Sequence, residues 1–182
     1  VERAYGVKIT KDELGGSQMA VDTAGTIDNA AENEEECLRQ IRRFLSYLPT
    51  NVWELPPEIP CDDSPDRCED ALADIVPRAP RQPYDMRKLI AMVVDRDSVY
   101  EIQPTFGRAV ITCLARLAGK VVGVIASNPM HGGVVDVKAA RKQTHFTELC
   151  DTFNIPLVFL VDVPGFQIGV ESEAAGMLRI GM

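Results

Sequence analysis

The sequence is poor in the residues that usually carry side-chain catalysis. It has two histidines, His131 and His145, and one tryptophan, Trp53, in 182 residues. The histidines fall on different predicted elements, and no Ser-His-Asp or Cys-His set can be argued from spacing. Cys61 and Cys68 are the only neighbouring cysteines, and a seven-residue offset is not a zinc-ligand spacing, so no metal is expected. Positive charge is also in deficit. Nineteen basic side chains stand against 27 acidic ones, net −8, which argues against nucleic acid and against a basic membrane-binding face. No run approaches the ~18 apolar residues of a bilayer span, so no membrane insertion is expected. The longest run, Ile155 to Val161, contains Pro156 and is strand-sized. G-x-G-x-x-G and Gly-Lys-Ser/Thr phosphate loops are absent. Five scattered cysteines, an odd number, do not make a disulfide framework. They predict free thiols in a reducing compartment, the cytoplasm or, in a eukaryote, the mitochondrial matrix. No targeting sequence is visible. The chain lacks an initiator Met and stops inside a predicted helix, which predicts a piece of a longer protein.

What is present is ordinary globular material: 46% apolar and 25% charged residues, enough for a sizeable core. Residues Val1 to Gly25 are mixed and turn-rich. Asn33 and Glu36 have capping-box spacing, and Cys37, Leu38, Ile41, Phe44, Leu45 and Leu48 then recur on one helical face up to Pro49. From Pro49 to Pro83, eight prolines with Asp62, Asp63 and Asp66 between them predict an extended connector, with one possible helical turn near Asp70 to Asp74.

A second unit opens with a helix capped by Asp85, whose inner face is Met86, Leu89, Ile90, Val93 and Val94. Strands follow at Val99 to Gln103, Val110 to Leu117 and Val121 to Ser127, the last two joined as a hairpin at Ala118-Gly119-Lys120. Asp136 caps a long helix that Asn154 ends. Leu157 to Val161 is a continuous apolar strand of the kind covered on both faces. Another helix opens near Glu171. The order predicts an α/β layer with a mixed sheet.

Chemistry is concentrated at two glycine-containing loops. Asp162-Val163-Pro164-Gly165-Phe166-Gln167-Ile168-Gly169 follows the apolar strand, and ligands in open α/β sheets bind beyond the carboxyl ends of strands. Its amides can hold an oxyanion, or the segment is a plain strand-to-helix turn. Gly132 and Gly133 can form an anion nest, although a flexible connector is the simpler reading. Asp162 reads as an acid or base, or as a loop-capping carboxylate. Lys142 reads as a solvated charge, with an anion contact as the alternative. Trp53 reads as a packing anchor, and the two histidines as surface or packing residues.

The strings Cys150-Asp151-x-Phe153-Asn154-Ile155-Pro156-Leu157 and Val161-Asp162-Val163-Pro164-Gly165-Phe166-x-x-Gly169 resemble the carboxyltransferase (β) subunits of biotin-dependent acyl-CoA carboxylases, of the propionyl-CoA and methylcrotonyl-CoA type. Glu13-Leu14-Gly15-Gly16, Tyr84-Asp85-Met86-Arg87, Gln103-Pro104, Asn128-Pro129-Met130, Gly133, Asp136, Lys142, Glu173, Gly176 and Arg179 extend the resemblance over nearly the whole chain. Thr144-His145-Phe146 is more methylcrotonyl-like and the Asp162 to Phe166 string more propionyl-like, so the acyl substrate stays open.

The resemblance implies a ClpP/crotonase-like spiral of β-β-α units. Residues 1–48 would be the tail of the first domain, 49–83 the connector, and 84–182 the opening half of the second, biotin-side domain. It implies transfer of a carboxyl group from carboxybiotin, held on a separate biotin carboxylase or carrier partner, to the α-carbon of an acyl-CoA by a homo-oligomer. Val163, Pro164, Gly165, Phe166 and Gly169 would then be biotin-side residues, and Gly132 and Gly133 substrate-side ones. Both principal oxyanion-stabilising glycine pairs of the family would lie outside this chain. No catalytic side chain is assigned. A biotin-dependent acyl-CoA decarboxylase and a non-catalytic acyl-CoA- or partner-binding remnant remain as alternatives.

Overall fold

The structure is a computed structural model and describes residues 6–64, 66–79 and 82–181. Pro65, Pro80 and the first five residues of the turn-rich opening segment lie outside the described residues. Two short pieces, α1 (Lys11–Gly15) and a wide turn at Met19–Thr23, precede α2 (Glu34–Leu45). The connector holds one turn of helix, α3 (Leu72–Ile75). Then come α4 (Met86–Val93), β1 (Tyr100–Ile102), β2 (Val110–Leu117), β3 (Lys120–Ser127), a 3₁₀ turn (Pro129–His131) and α5 (Val137–Thr152). Strand β4 (Leu157–Leu160) and the short helices α6 (Val170–Ala174) and α7 (Met177–Ile180) complete the chain.

The strands form one mixed sheet in the order β1-β2-β3-β4. β1, β2 and β3 are antiparallel neighbours, and β4 runs parallel to β3 after the α5 crossover. A parallel pair needs such a crossover, since its strands begin at the same end of the sheet.

The alternation of β2 and β3 builds two cores. Val110, Leu114, Val121 and Ile125 face α5 and the end of α2, where Phe146, Cys150 and Tyr47 pack. Ile111, Cys113, Ala115, Val122, Val124 and Ala126 face Met86, Ile90 and Val94 of α4. Gly123 allows the close approach of α5: a Cβ there would lie 2.5 Å from Cys150 Sγ and 3.1 Å from Phe146 Cε1. Phe146 is fully buried, so truncating it to Ala costs roughly 3–5 kcal/mol.

Helix starts follow the capping residues. Asn33 accepts from Glu36 N–H, Asp85 from Arg87 N–H and Asp136 from Ala139 N–H. The reciprocal half of the capping box at Asn33 does not form, because Glu36 turns to Arg39 and Gln40.

Two expectations are corrected. The face of α2 that packs inward continues into Phe44, Tyr47 and Leu48, whereas Leu38, Ile41 and Leu45 are exposed. Strand β4 is not covered on both faces. It is the edge of the sheet, and Phe159 is 51% exposed. Its apolar character reads the same at an edge as in a sheet interior, since the run itself does not say which neighbours are present.

The connector runs over the hairpin tip. Arg116 donates to Ser46 O (2.8 Å), Pro57 O (2.7 Å) and Gly119 O (2.9 Å), and Arg67 donates to Val94 O (2.6 Å).

Candidate functional site

The carboxyl ends of the parallel pair β3 and β4 bring the two glycine-containing loops together. After β3, Asn128 organises a tight turn. Its carbonyl accepts from His131 N–H (2.9 Å) and Gly133 N–H (3.1 Å), and its Nδ2 donates to Arg108 O (2.7 Å). Gly132 N–H donates to Pro129 O (3.1 Å). Both glycine amides are therefore spent inside the turn and do not form an open anion nest. Gly133 instead lets the second loop approach: a Cβ there would lie 3.2 Å from Asp162 O.

After β4, Asp162 N–H donates to Ser127 Oγ (3.0 Å), and the Asp162 carboxylate accepts from the Tyr84 hydroxyl (2.8 Å). That is the loop-capping role, not an open acid or base. Burial first, then the Asp162 carboxylate, pushes the Tyr84 phenol up to about 12, so it stays a proton donor across the neutral range.

Further along each loop, Val135 and Phe166 form an isolated parallel bridge. Val135 N–H donates to Gly165 O (3.1 Å), and Gln167 N–H donates to Val135 O (2.9 Å). In a parallel bridge of this form, the amide of the bridged residue itself points away. Among the described residues the N–H groups of Gly165, Phe166 and Gly169 donate to nothing. Gly165 and Gly169 hold φ values of +147° and +140°, with open space where a Cβ would stand. Glycine is required there by backbone conformation, not by crowding.

Successive residues of an extended segment face opposite sides. Phe166 and Val163 line an apolar cleft of about 500 Å³ with Ser127, Val135, Thr147 and Phe159. Gln167 lines a polar cleft of about 660 Å³ with Arg108, His131, Gly132, Asp136 and Lys138. Partial burial, then the positive charges of Arg108 and Arg87, draw the His131 imidazole below its ordinary value. Unpaired amides beside an apolar wall are suited to stabilising negative charge on oxygen, because preorganised dipoles need no reorganisation as the charge develops.

The remaining candidates sit elsewhere. Lys142 is not solvated: it is 1% exposed, and Nζ donates to Phe106 O (3.2 Å) and Val110 O (2.7 Å). Trp53 is not a packing anchor, being 90% exposed on the connector. His145 is a surface residue, 3.2 Å from Asp28. Among the described residues no cluster of three or more His, Cys, Asp or Glu side chains could hold a metal, and no helix is long and apolar enough to cross a membrane. Sequence reasoning missed Tyr84, Ser127 and Val135 as parts of the site. Their partners lie 78, 35 and 31 residues away, and no local pattern marks them.

This arrangement of paired loops at the end of a β-β-α-β unit is that of a known family. Residues 1–182 match the carboxyl transferase domain model along their whole length. The chain therefore belongs to the carboxyl transferase domain family. It is 40% identical over 182 residues to the methylmalonyl-CoA decarboxylase subunit alpha of Veillonella parvula, covering 100% of this chain and 36% of that protein. It is 39% identical over 182 residues to the propionyl-CoA carboxylase carboxyltransferase subunit of Haloferax mediterranei, covering 100% of this chain and 35% of that protein. The crystal structure of transcarboxylase 12S, with methylmalonyl-CoA and methylmalonic acid bound, superposes with a TM-score of 0.94 at 36% identity, over 99% of this chain and 35% of that one. The fold is thus the crotonase-like carboxyltransferase fold, and the chain spans about a third of the length of the curated relatives it matches.

Proposed function

We propose that this chain supplies the biotin-side loops of a carboxyltransferase that moves a carboxyl group from carboxybiotin to the α-carbon of an acyl-CoA. The observation that carries this reading is the unpaired Gly165 and Phe166 amides in a bend whose Phe166 lines the apolar cleft. Biotin, when bound, supplies a ureido nitrogen that carries the carboxyl group and a ureido oxygen that gains negative charge as the group departs. The residues present fit such a group. The Gly165 and Phe166 amides donate to an anionic carbonyl oxygen, and Val163 and Phe166 give an apolar surface for a fused ring. Pro164 and Gly169 fix the course of the bend. Gly132 and Gly133 shape the substrate-side wall by the path of their backbone, since their amides are spent in the turn. Donors for the thioester oxygen of the acyl-CoA come from outside this chain.

The wider reading includes a biotin carboxylase or biotin carrier partner and a homo-oligomer. It also includes the division into a first-domain tail (1–48), a connector (49–83) and a biotin-side half-domain (84–182). Transcarboxylase 12S, to which the chain is similar, has a hexamer assembly. Exposed apolar side chains on α2 and β4, such as Ile41 and Phe159, are suited to burial in a larger body.

A panel of acyl-CoA thioesters, offered to the complete protein with its biotin carboxylase and biotin-carrying partners, ATP and labelled bicarbonate, tests the reading. Label transferred to the acyl α-carbon is expected. Binding of acyl-CoA with no transfer in either direction would leave only a binding role. The decarboxylase direction is a second reading, favoured by the 40% identity to the Veillonella parvula subunit. It predicts net loss of the carboxyl group from a carboxyacyl-CoA.

A further inference from the structure

We propose that Tyr84 is a positioning residue for the Asp162 to Gly169 bend. Its phenol grips the Asp162 carboxylate at 2.8 Å and so fixes the direction in which the bend leaves β4. Its value for transfer rests on the biotin-side reading of that bend.

The bend has few other restraints. Among the described residues, its hydrogen bonds to the rest of the protein are Asp162 N–H to Ser127 Oγ, the two main-chain bonds to Val135, Tyr84 to Asp162, and at its far end Glu173 N–H to Gly169 O. The first of these restrains only the start of the bend and the next two only its middle. The Tyr84 contact is the single one that restrains a side chain of the bend. A bend with glycines at two positions of positive φ has broad conformational freedom, so one fixed end matters more here than in a packed loop.

Tyr84 is itself held firmly. Its ring packs against the core cluster on the α4 side of the sheet, alongside Val158 and Leu160 of β4. The next residue, Asp85, caps α4, and Arg87 of that helix forms a two-point ion pair with Glu101 of β1, at 2.8 and 2.6 Å. The phenol therefore transmits the position of α4 to a residue that would otherwise follow only β3 and β4. The bond lies at the surface, where hydrogen bonds add little to global stability. Its loss should loosen the bend without unfolding the sheet.

The test uses Tyr84→Phe in the complete protein with its biotin-carrying partner. The thermal midpoint is expected to stay within about 2 °C, since a surface bond of this kind contributes little to stability. Exchange at the two bonded amides of the bend, Asp162 and Gln167, is expected to speed up several-fold, with β2 and β3 unchanged. Unchanged exchange across the bend overturns the proposal, and so does equal loosening of the sheet, which would make Tyr84 a general packing residue. Asp162→Ala added to Tyr84→Phe is expected to loosen the bend no further, because both remove the same bond. Additive loosening overturns the proposal. Turnover reads the dependent claim: kcat should fall roughly 5- to 20-fold with KM for the acyl-CoA unchanged, the size of one charge-assisted hydrogen bond. A looser bend with full kcat keeps Tyr84 as a positioning residue and instead removes the biotin-side reading.

Discussion

Val135 and Phe166 are bridged by two main-chain hydrogen bonds, to Gly165 O and from Gln167 N–H, which leave the Phe166 and Gly165 amides unpaired. This one bridge ties the end of the β3 turn to the bend after β4. It also separates an apolar cleft, lined by Phe166, from a polar one, lined by Gln167. On the proposed reading the donors are main-chain amides, and the neighbouring side chains mainly hold them in place.

Removing the Val135 amide should therefore disturb the bend. Val135→Pro is expected to lose the 3.1 Å bond to Gly165 O and to destabilise the protein by about 1–2 kcal/mol. Carboxyl transfer should fall at least roughly tenfold, because the donors lose their fixed direction. Val135→Thr keeps both main-chain bonds and should remain near the parent in both thermal midpoint and rate.

Lys142 gives a pH signature. Burial first, opposed by Glu101, brings its ammonium down to about 8. Between about pH 8 and its ordinary value near 10.4, the folded protein has released this proton and the unfolded chain has not. Raising the pH through that window therefore stabilises the fold, by on the order of 3 kcal/mol from this group at most. Below pH 8 its unfavourable contribution is fully present. Lys142→Met keeps the buried stem and lacks the proton. The thermal midpoint of the parent should thus gain on that of the variant as pH rises from 8 to 10. Parallel curves would contradict this.

Thiol reactivity should divide the cysteines. Burial pushes the Cys113 and Cys150 thiols up to about 12, so neither forms thiolate near neutrality. Peptide mapping after a mild alkylating reagent should find Cys113 and Cys150 unmodified in the native protein and modified only after unfolding. Cys37 and Cys68 are exposed and should react first.

Much of the frame was legible from short-range chemistry. Asn33, Asp85 and Asp136 announced helix starts through their capping oxygens, and Ala118-Gly119 announced the hairpin. The glycine-bearing bend after β4 was legible as a loop that meets others, because the strand ends of α/β sheets bring loops together. What escaped was everything set by distant partners. Lys142 looked like a solvent charge because its two carbonyl acceptors, on Phe106 and Val110, lie more than 30 residues upstream. Trp53 looked like an anchor because its size favours burial, yet it sits on a connector with nothing packed over it. Gly132 and Gly133 read as a flexible connector with an anion nest as the alternative, and neither reading shows that Asn128 and Pro129 claim both amides in a tight turn.

The most direct measurement is steady-state transfer between carboxybiotin and acyl-CoA by the complete protein carrying Gly165→Val, alongside its thermal midpoint. A valine is strained at φ +147°, so the backbone of the bend should shift, while its side chain meets only open space. The account predicts a loss of kcat of roughly 10²-fold, the worth of one oxyanion donor, with the KM for acyl-CoA unchanged and only a small fall in stability. An unchanged rate, or a loss of rate matched by an equal loss of folded protein, would contradict it.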